Sequence, residues 1–225
     1  RHVSVRSAAA TRDGFDVAIT SSWGDGHFRL PLHGEFNVAN AALVLAFLLS
    51  EDVPLDAASE VLAAVAAPPG RLQRVDVDAG PDVFVDYAHT PDAIESALRA
   101  LQPHCNGALW CVFGCGGDRD PGKRPLMARA VERYADRIVV TNDNPRSEDP
   151  ERIVEDICTG FEHPAAVRVQ HDRAAAISET LRQAGSNDIV LIAGKGHETV
   201  QIVGDKSLPF SDRERVKALQ REWAG

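Results

Sequence analysis

The chain has few cysteines: Cys105, Cys111, Cys115 and Cys158, none in a C-x-x-C pair. No histidine cluster stands at zinc spacing either, which argues against a metal knuckle or a disulfide framework. Cys111 alternates with apolar neighbours, so buried free thiols and a reducing, cytoplasmic setting are expected. Basic residues are also in deficit. Against 33 Asp and Glu there are 24 Lys and Arg, a formal charge of −9. Nucleic acid is therefore not expected as a partner, because phosphate backbones need clustered cations. A local basic pocket for an anionic nucleotide remains compatible with that balance. No apolar run reaches membrane-spanning length and no signal-peptide pattern opens the chain, so no membrane insertion is expected. The chain starts at Arg1 and enters strand-like Val3-Ser4-Val5 directly, which suggests a piece of a longer protein.

At 225 residues with 44% hydrophobic content, one or two globular domains are expected. Residues 1–34 carry short alternating segments, Phe15–Ile19 and His27–Leu30, with Asp25-Gly26 between them as a hairpin signal. Helices are predicted over about Val38–Leu49 and Asp56–Ala66, and Pro68-Pro69-Gly70 ends the second. That break predicts a division into residues 1–70 and 71–225. From about Val75 onward, strand, loop and helix repeat. Apolar runs at Asp82–Asp86, Trp110–Phe113, Ile138–Val140, Val167–Val169, Ile189–Ile192 and Val200–Val203 read as strands. Thr90-Pro91-Asp92 and Asp149-Pro150 read as helix starts, and Ser211–Glu214 as a capping box. Ile94, Ala97, Leu98 and Leu101 then fall on one helical face. The expected fold class is α/β, a Rossmann-like, mostly parallel sheet covered on both faces.

Three loops follow strand ends: Gly114–Asp120, Asp143-Asn144-Pro145-Arg146 and Gly194-Lys195-Gly196-His197-Glu198. In an open parallel sheet such loops share the edge where ligands bind. Arginines, a lysine, an asparagine and carboxylates would then face one crevice, a mixture suited to a small zwitterion. Gly117-x4-Gly122-Lys123-Arg124 nearly matches a phosphate-binding P-loop, but Arg124 stands where a magnesium-ligating Ser or Thr is required. The glycines at 114, 116 and 117 also miss the dinucleotide spacing. Each functional reading has a plain rival. Asp-Asn-Pro is turn chemistry, Asn37 can cap a helix, and His89 suits a local turn role. His197 and Glu198 are read as strand neighbours pointing to opposite faces, which argues against an acid–base pair.

Together with Asp86-Tyr87-Ala88-His89-Thr90-Pro91-Asp92, these strings resemble the UDP-N-acetylmuramoyl-tripeptide synthetases of the Mur ligase family, from about Gly34 to the C-terminus. The resemblance implies that residues 1–70 are the tail of a central ATPase domain and 71–225 the amino-acid-binding C-terminal domain. It implies ATP and Mg²⁺ as cofactors, with the metal ligands and the phosphate loop outside this chain. It further implies a cytoplasmic bacterial monomer acting on ATP, UDP-MurNAc-dipeptide and meso-diaminopimelate. By resemblance Arg119, Asp143, Asn144, Pro145, Arg146, Gly194 and Glu198 bind meso-diaminopimelate, while Asn37, Asn40, Arg71 and Asp86 face ATP. Lys195 and His197 receive only a structural or orienting role. In the family, Asp-Asn-Pro-Arg marks enzymes that take meso-diaminopimelate, whose extra carboxylate suits a bidentate guanidinium. Two alternatives stay open: a folylpolyglutamate-synthetase-like ligase, and a non-catalytic amino-acid or nucleotide-binding module. The chain alone is expected to show no ligase or ATPase activity.

Overall fold

The computed structural model describes residues 1–76 and 80–224. The chain divides into two compact units, Arg1–Ala67 and Pro68–Gly225. The Pro-Pro-Gly segment belongs to the second unit because its backbone is tied there. The Gly70 amide donates to Gln73 Oε1 at 2.9 Å, and the Tyr87 amide donates to the Gly70 carbonyl at 2.9 Å.

In the first unit, β1 (Val3–Thr11), β2 (Gly14–Ser21) and β3 (Gly24–Leu30) form an antiparallel sheet backed by α1 (Glu35–Ser50) and α2 (Leu55–Ala63). Phe15, Val17 and Ile19 alternate towards the core with Phe28 and Leu30, and α1 adds Val38, Ala41, Leu45 and Leu49. The expected hairpin forms between β2 and β3, but its turn is not at Asp25-Gly26. Those residues are paired inside β3, Asp25 with Thr20 and Gly26 with Ile19. The chain turns instead at Arg12-Asp13 and Ser22-Trp23, each followed by a glycine in a positive-φ conformation, Gly14 (φ 135°) and Gly24 (φ 124°). Register decides the matter, since a one-residue slip would carry the whole apolar set to solvent.

The second unit opens with β4 (Gln73–Val75), β5 (Asp82–Asp86), α3 (Pro91–Leu101), β6 (Leu109–Phe113), α4 (Lys123–Tyr134) and β7 (Arg137–Val140). It continues with α5 (Pro150–Cys158), β8 (Val167–Val169), α6 (Arg173–Gln183), β9 (Ile189–Ala193), β10 (Val200–Val203), β11 (Lys206–Pro209) and α7 (Asp212–Ala224). The six-stranded sheet runs β4-β5-β9-β6-β7-β8, parallel except for the edge strand β4. Strand periodicity splits the core in two. Phe84, Cys111, Phe113, Leu191 and Ala193 face α3, α4 and α5, while Val83, Val85, Val112, Val190 and Ile192 face α6 and α7. Both faces are thus covered, which is why the parallel strands read as unbroken apolar runs.

The helix starts behave as their sequences require. Thr90 Oγ1 accepts from the Ala93 amide at 3.3 Å, and Asp149 Oδ1 from the Glu151 amide at 3.0 Å, each beside a proline in the first turn. One expected strand, Val200–Val203, lies outside the main sheet. It pairs with β11 in a separate hairpin across Gly204-Asp205.

Candidate functional site

β9 returns between β5 and β6, so the strand order reverses there, the place where α/β sheets open a crevice beyond their carboxyl ends. A cavity of about 260 Å³ opens at that edge. Its wall includes Tyr87, His89 and Thr90 after β5, Gly114, Gly116, Arg119 and Asp120 after β6, Asp143, Asn144 and Arg146 after β7, and Gly194 and Glu198 after β9. Six of the seven residues expected at the amino acid therefore share one wall. Pro145 is the seventh; it is buried beneath the wall and fixes the turn that presents its neighbours.

The loops are stitched together by hydrogen bonds. The Gly117 amide donates to the Asn144 carbonyl at 2.9 Å, and Arg146 Nη1 donates to the Gly117 carbonyl at 2.8 Å. Ser147 Oγ donates to Asp118 Oδ1 at 2.6 Å. Any Cβ at position 117 would stand 1.8 Å from the Pro145 carbonyl, so the two loops meet only because that residue is glycine. Leu72, Asp118 and Arg146 adopt positive φ (38°, 53° and 53°), and none is a glycine. Strain of this kind gathers where surrounding structure holds a site in place. Arg146 is held on both sides by the hairpin: its amide donates to the Ile202 carbonyl at 3.1 Å, and its carbonyl accepts from the Gly204 amide at 2.7 Å.

Charge in the cavity is mixed. Burial pushes the Asp143 carboxyl above its ordinary range, while the charges of Arg173 and Lys195 pull against that shift. Burial also raises Glu198, but hydrogen bonds from Lys195 and Asn144 and the charges of Lys195 and Arg146 outweigh it, and Glu198 stays below the usual range. The Cys115 thiol is pushed up to about 12 by burial, so it is no nucleophile near neutral pH. Arg124 of the near-P-loop segment is committed elsewhere. It is buried, with Nη2 on Glu148 at 2.7 Å and Nη1 on Asp156 at 2.8 Å.

The residues expected at the nucleotide are not among those lining this cavity. Asp86 is buried, and its two oxygens accept from the Leu72 and Ala88 amides at 2.6 and 2.7 Å. Arg71 lies over the Tyr87 ring, 5.1 Å from its centroid. Asn37 and Asn40 belong to the other unit. α1 starts at Glu35, before the expected Val38, so Asn37 is inside the helix and not its cap. Its Nδ2 donates to the His33 carbonyl at 2.9 Å. His197 and Glu198 also differ from expectation, since they lie in a turn and not on a strand. They still diverge: His197 packs on Tyr87 with ring centroids 5.5 Å apart, and Glu198 meets Lys195 and Asn144. Lys195 is the residue that sequence reasoning undervalued. It is fully buried under the wall, and the signal was its place between two glycines, both of positive φ. His89 takes the expected local role, its Nδ1 lying 2.7 Å from the Tyr87 carbonyl.

Residues 70–196 match the family described as Mur ligase, glutamate ligase domain. Among curated relatives, the chain is 53% identical over 204 residues to the UDP-N-acetylmuramoyl-L-alanyl-D-glutamate–2,6-diaminopimelate ligase of Coxiella burnetii. That alignment covers 91% of this chain and 42% of the relative. The ligase of the same name from Haemophilus influenzae is 49% identical over 201 residues, covering 89% of this chain and 41% of the relative. A solved structure of a ligase with that name superposes with a TM-score of 0.82 at 37% identity, covering 98% of this chain and 45% of that one. Folylpolyglutamate synthase of Mycobacterium tuberculosis, solved with ADP and AMPPCP, gives 0.64 at 26% identity over 86% of this chain and 45% of that one. The chain spans about two fifths of the length of the curated relatives it matches. With its parallel sheet, its loops and this match over more than half its length, the chain belongs to the Mur ligase family.

Proposed function

We propose that the whole protein is the ATP-dependent ligase that joins meso-diaminopimelate to UDP-N-acetylmuramoyl-L-alanyl-D-glutamate, and that this chain supplies the amino-acid pocket. The observation that carries the reading is the pairing of Arg119 and Arg146 with Asp143 and Glu198 on one cavity wall. A diamino dicarboxylate offers ammonium groups to the acids and carboxylates to the guanidinium forks. A folylpolyglutamate-type ligase is less well supported, because the identity to that relative is 26% against 53% to the diaminopimelate ligase.

In this reaction ATP gives its terminal phosphoryl group to the side-chain carboxylate of the D-glutamyl residue. The amine of diaminopimelate attacks the resulting acyl phosphate, a C–N bond forms, the C–O bond to phosphate breaks, and the amine loses its proton. The pocket residues act by orientation: holding the distal end of the amino acid aims the near amine at the acyl carbon. Mg²⁺ would offset phosphate charge. Among the described residues no group of three or more His, Cys, Asp or Glu stands where it would hold a metal. Asn37, Asn40, Arg71 and Asp86 are assigned to the nucleotide side, Asp86 by bracing the backbone next to Arg71. No helix among the described residues is long and apolar enough to cross a membrane.

The test is ADP release by the full-length protein with ATP, the UDP-dipeptide and either meso-diaminopimelate or lysine. Strong preference for diaminopimelate is expected, and no turnover with it would refute the reading. In the same assay Arg71→Ala should lower kcat/KM for ATP by about tenfold or more, the loss of a charge-assisted contact. Unchanged ATP kinetics would remove Arg71 from the nucleotide site.

A further inference from the structure

Lys195 carries a positive charge into a site where its side chain is 0% exposed, and it meets two groups there. Its Nζ donates to Asn144 Oδ1 and to Glu198 Oε2, each at 2.9 Å. Asn144 Nδ2 closes the triangle by donating to Glu198 Oε2 at 2.9 Å. The Ile202 amide gives Asn144 Oδ1 a second donor at 3.0 Å. These contacts decide which way the Asn144 amide points. Flipped, its NH₂ would face an ammonium and a backbone N–H, with no acceptor between them. They also divide the work of Glu198, whose Oε2 is occupied from below while the residue lines the cavity above.

We propose that Lys195 is a positioning residue of the amino-acid pocket, which sets the Asn144 amide and holds Glu198 as an aimed carboxylate for the distal ammonium of the substrate. The inference rests on the amino-acid reading of the cavity given above. Burying a lone ammonium is costly, and burying it against a carboxylate and an amide oxygen makes it a fixed charge with little freedom to move. Without it, Glu198 would lose its nearest counter-charge while desolvation remained. The charged groups facing Glu198 are Lys195 on its own loop, Asp143 and Arg146 from the loop after β7, and Arg173 on α6; His89, Arg119, Asp120, Lys123 and Arg124 line the same cavity. In the wild type Glu198 lies below the usual carboxylate range. Loss of Lys195 should raise it, so the substrate-binding form would be lost at a higher pH than before.

The experiment compares wild type and Lys195→Met in the full-length enzyme. At neutral pH, kcat/KM for meso-diaminopimelate should drop at least about tenfold, mainly through KM, with the ATP KM unchanged. The acid limb of its pH profile should move to higher pH, so that the mutant recovers part of its deficit as pH rises. A parallel loss at every pH would overturn the proposal and leave Lys195 a packing residue. A ¹³C titration of the Glu198 carboxyl needs no turnover, so it separates this inference from the functional reading. A midpoint that stays put on Lys195→Met overturns the inference whatever the enzyme does. Should Lys195→Met alone fail to fold, Glu198→Gln and the Lys195→Met/Glu198→Gln pair remain, the pair removing both charges together. With the Ile202 amide still holding Asn144 Oδ1, a Lys195 that acts through Glu198 should leave the two in agreement within about twofold in amino-acid kcat/KM. A further tenfold loss in the pair would sink the idea.

Discussion

Arg146→Ala in the full-length enzyme is expected to lower kcat/KM for meso-diaminopimelate by about two to three orders of magnitude. A hydrogen bond to a charged group is worth about 1.5–3 kcal/mol, hence about one to two decades in binding. The remainder comes from misaiming the attacking amine once its distal anchor is gone. Arg146 also donates to the Gly117 carbonyl, so the alanine variant loosens the contact between two loops as well as the clamp. Lysine, with no distal carboxylate, reports that second effect alone. It should be a poor substrate of the wild type, because an empty guanidinium would remain without its anion, and it should lose only about fivefold or less in the variant. The measurement is kcat/KM for both amino acids in both proteins. Equal losses would make Arg146 a brace of the turn and nothing more.

Asp212→Ala should destabilise the second unit strongly. Arg173 and Asp212 are both fully buried, with Nε on Oδ1 and Nη2 on Oδ2, each at 2.8 Å. Arg173 Nη2 also donates to the Ala193 carbonyl at 2.9 Å, so the pair ties the starts of α6 and α7 to the end of β9. Removing the carboxylate takes away the only acid among the described residues that hydrogen-bonds this buried guanidinium and leaves just the charges of Asp143 and Glu198 to offset it, at a cost of about 3–5 kcal/mol. For a unit of this size that is about 6–20 °C in Tm. Replacing both partners, as Arg173→Met/Asp212→Leu, should cost less, since an apolar pair of similar volume strands neither partner, although Asp143 then loses the Arg173 charge and keeps that of Lys195. Thermal melts of the three variants decide it. A single-mutant loss below about 1 kcal/mol would show that water reaches Arg173 and that the pair is not a keystone.

Much of the second unit was legible because its strands are buried on both faces. Runs such as Ile189–Ala193 and Val83-Phe84-Val85 have no polar interruption, and the Thr-Pro and Asp-Pro starts name their own helices. What escaped was structure decided by pairing. Strand β11, Lys-Ser-Leu-Pro, is exposed throughout and has no strand pattern of its own; its partner and the two-residue Gly204-Asp205 loop create it. In the first unit two Asp-Gly pairs compete for one hairpin signal, and only the register shows that Asp13-Gly14 sits at a turn and Asp25-Gly26 inside a strand. The site was legible as a set of loops after strand ends, through residue type and position. The inner layer was not. The glycines around Lys195 and the acid three residues on allowed an orienting role, but its burial depends on Asn144, 51 residues away, which no local pattern reveals.

The β10–β11 hairpin gives the pocket a second address at which its selectivity can be altered. The Ile202 carbonyl and the Gly204 amide hold the Arg146 backbone from outside the cavity wall, and so set the point from which its side chain reaches in. In a selection for enzymes that accept a shorter or longer diamino acid, lineages could therefore keep every wall residue and drift in a segment that does not line the cavity. Comparison of pocket residues alone would score such lineages as identical.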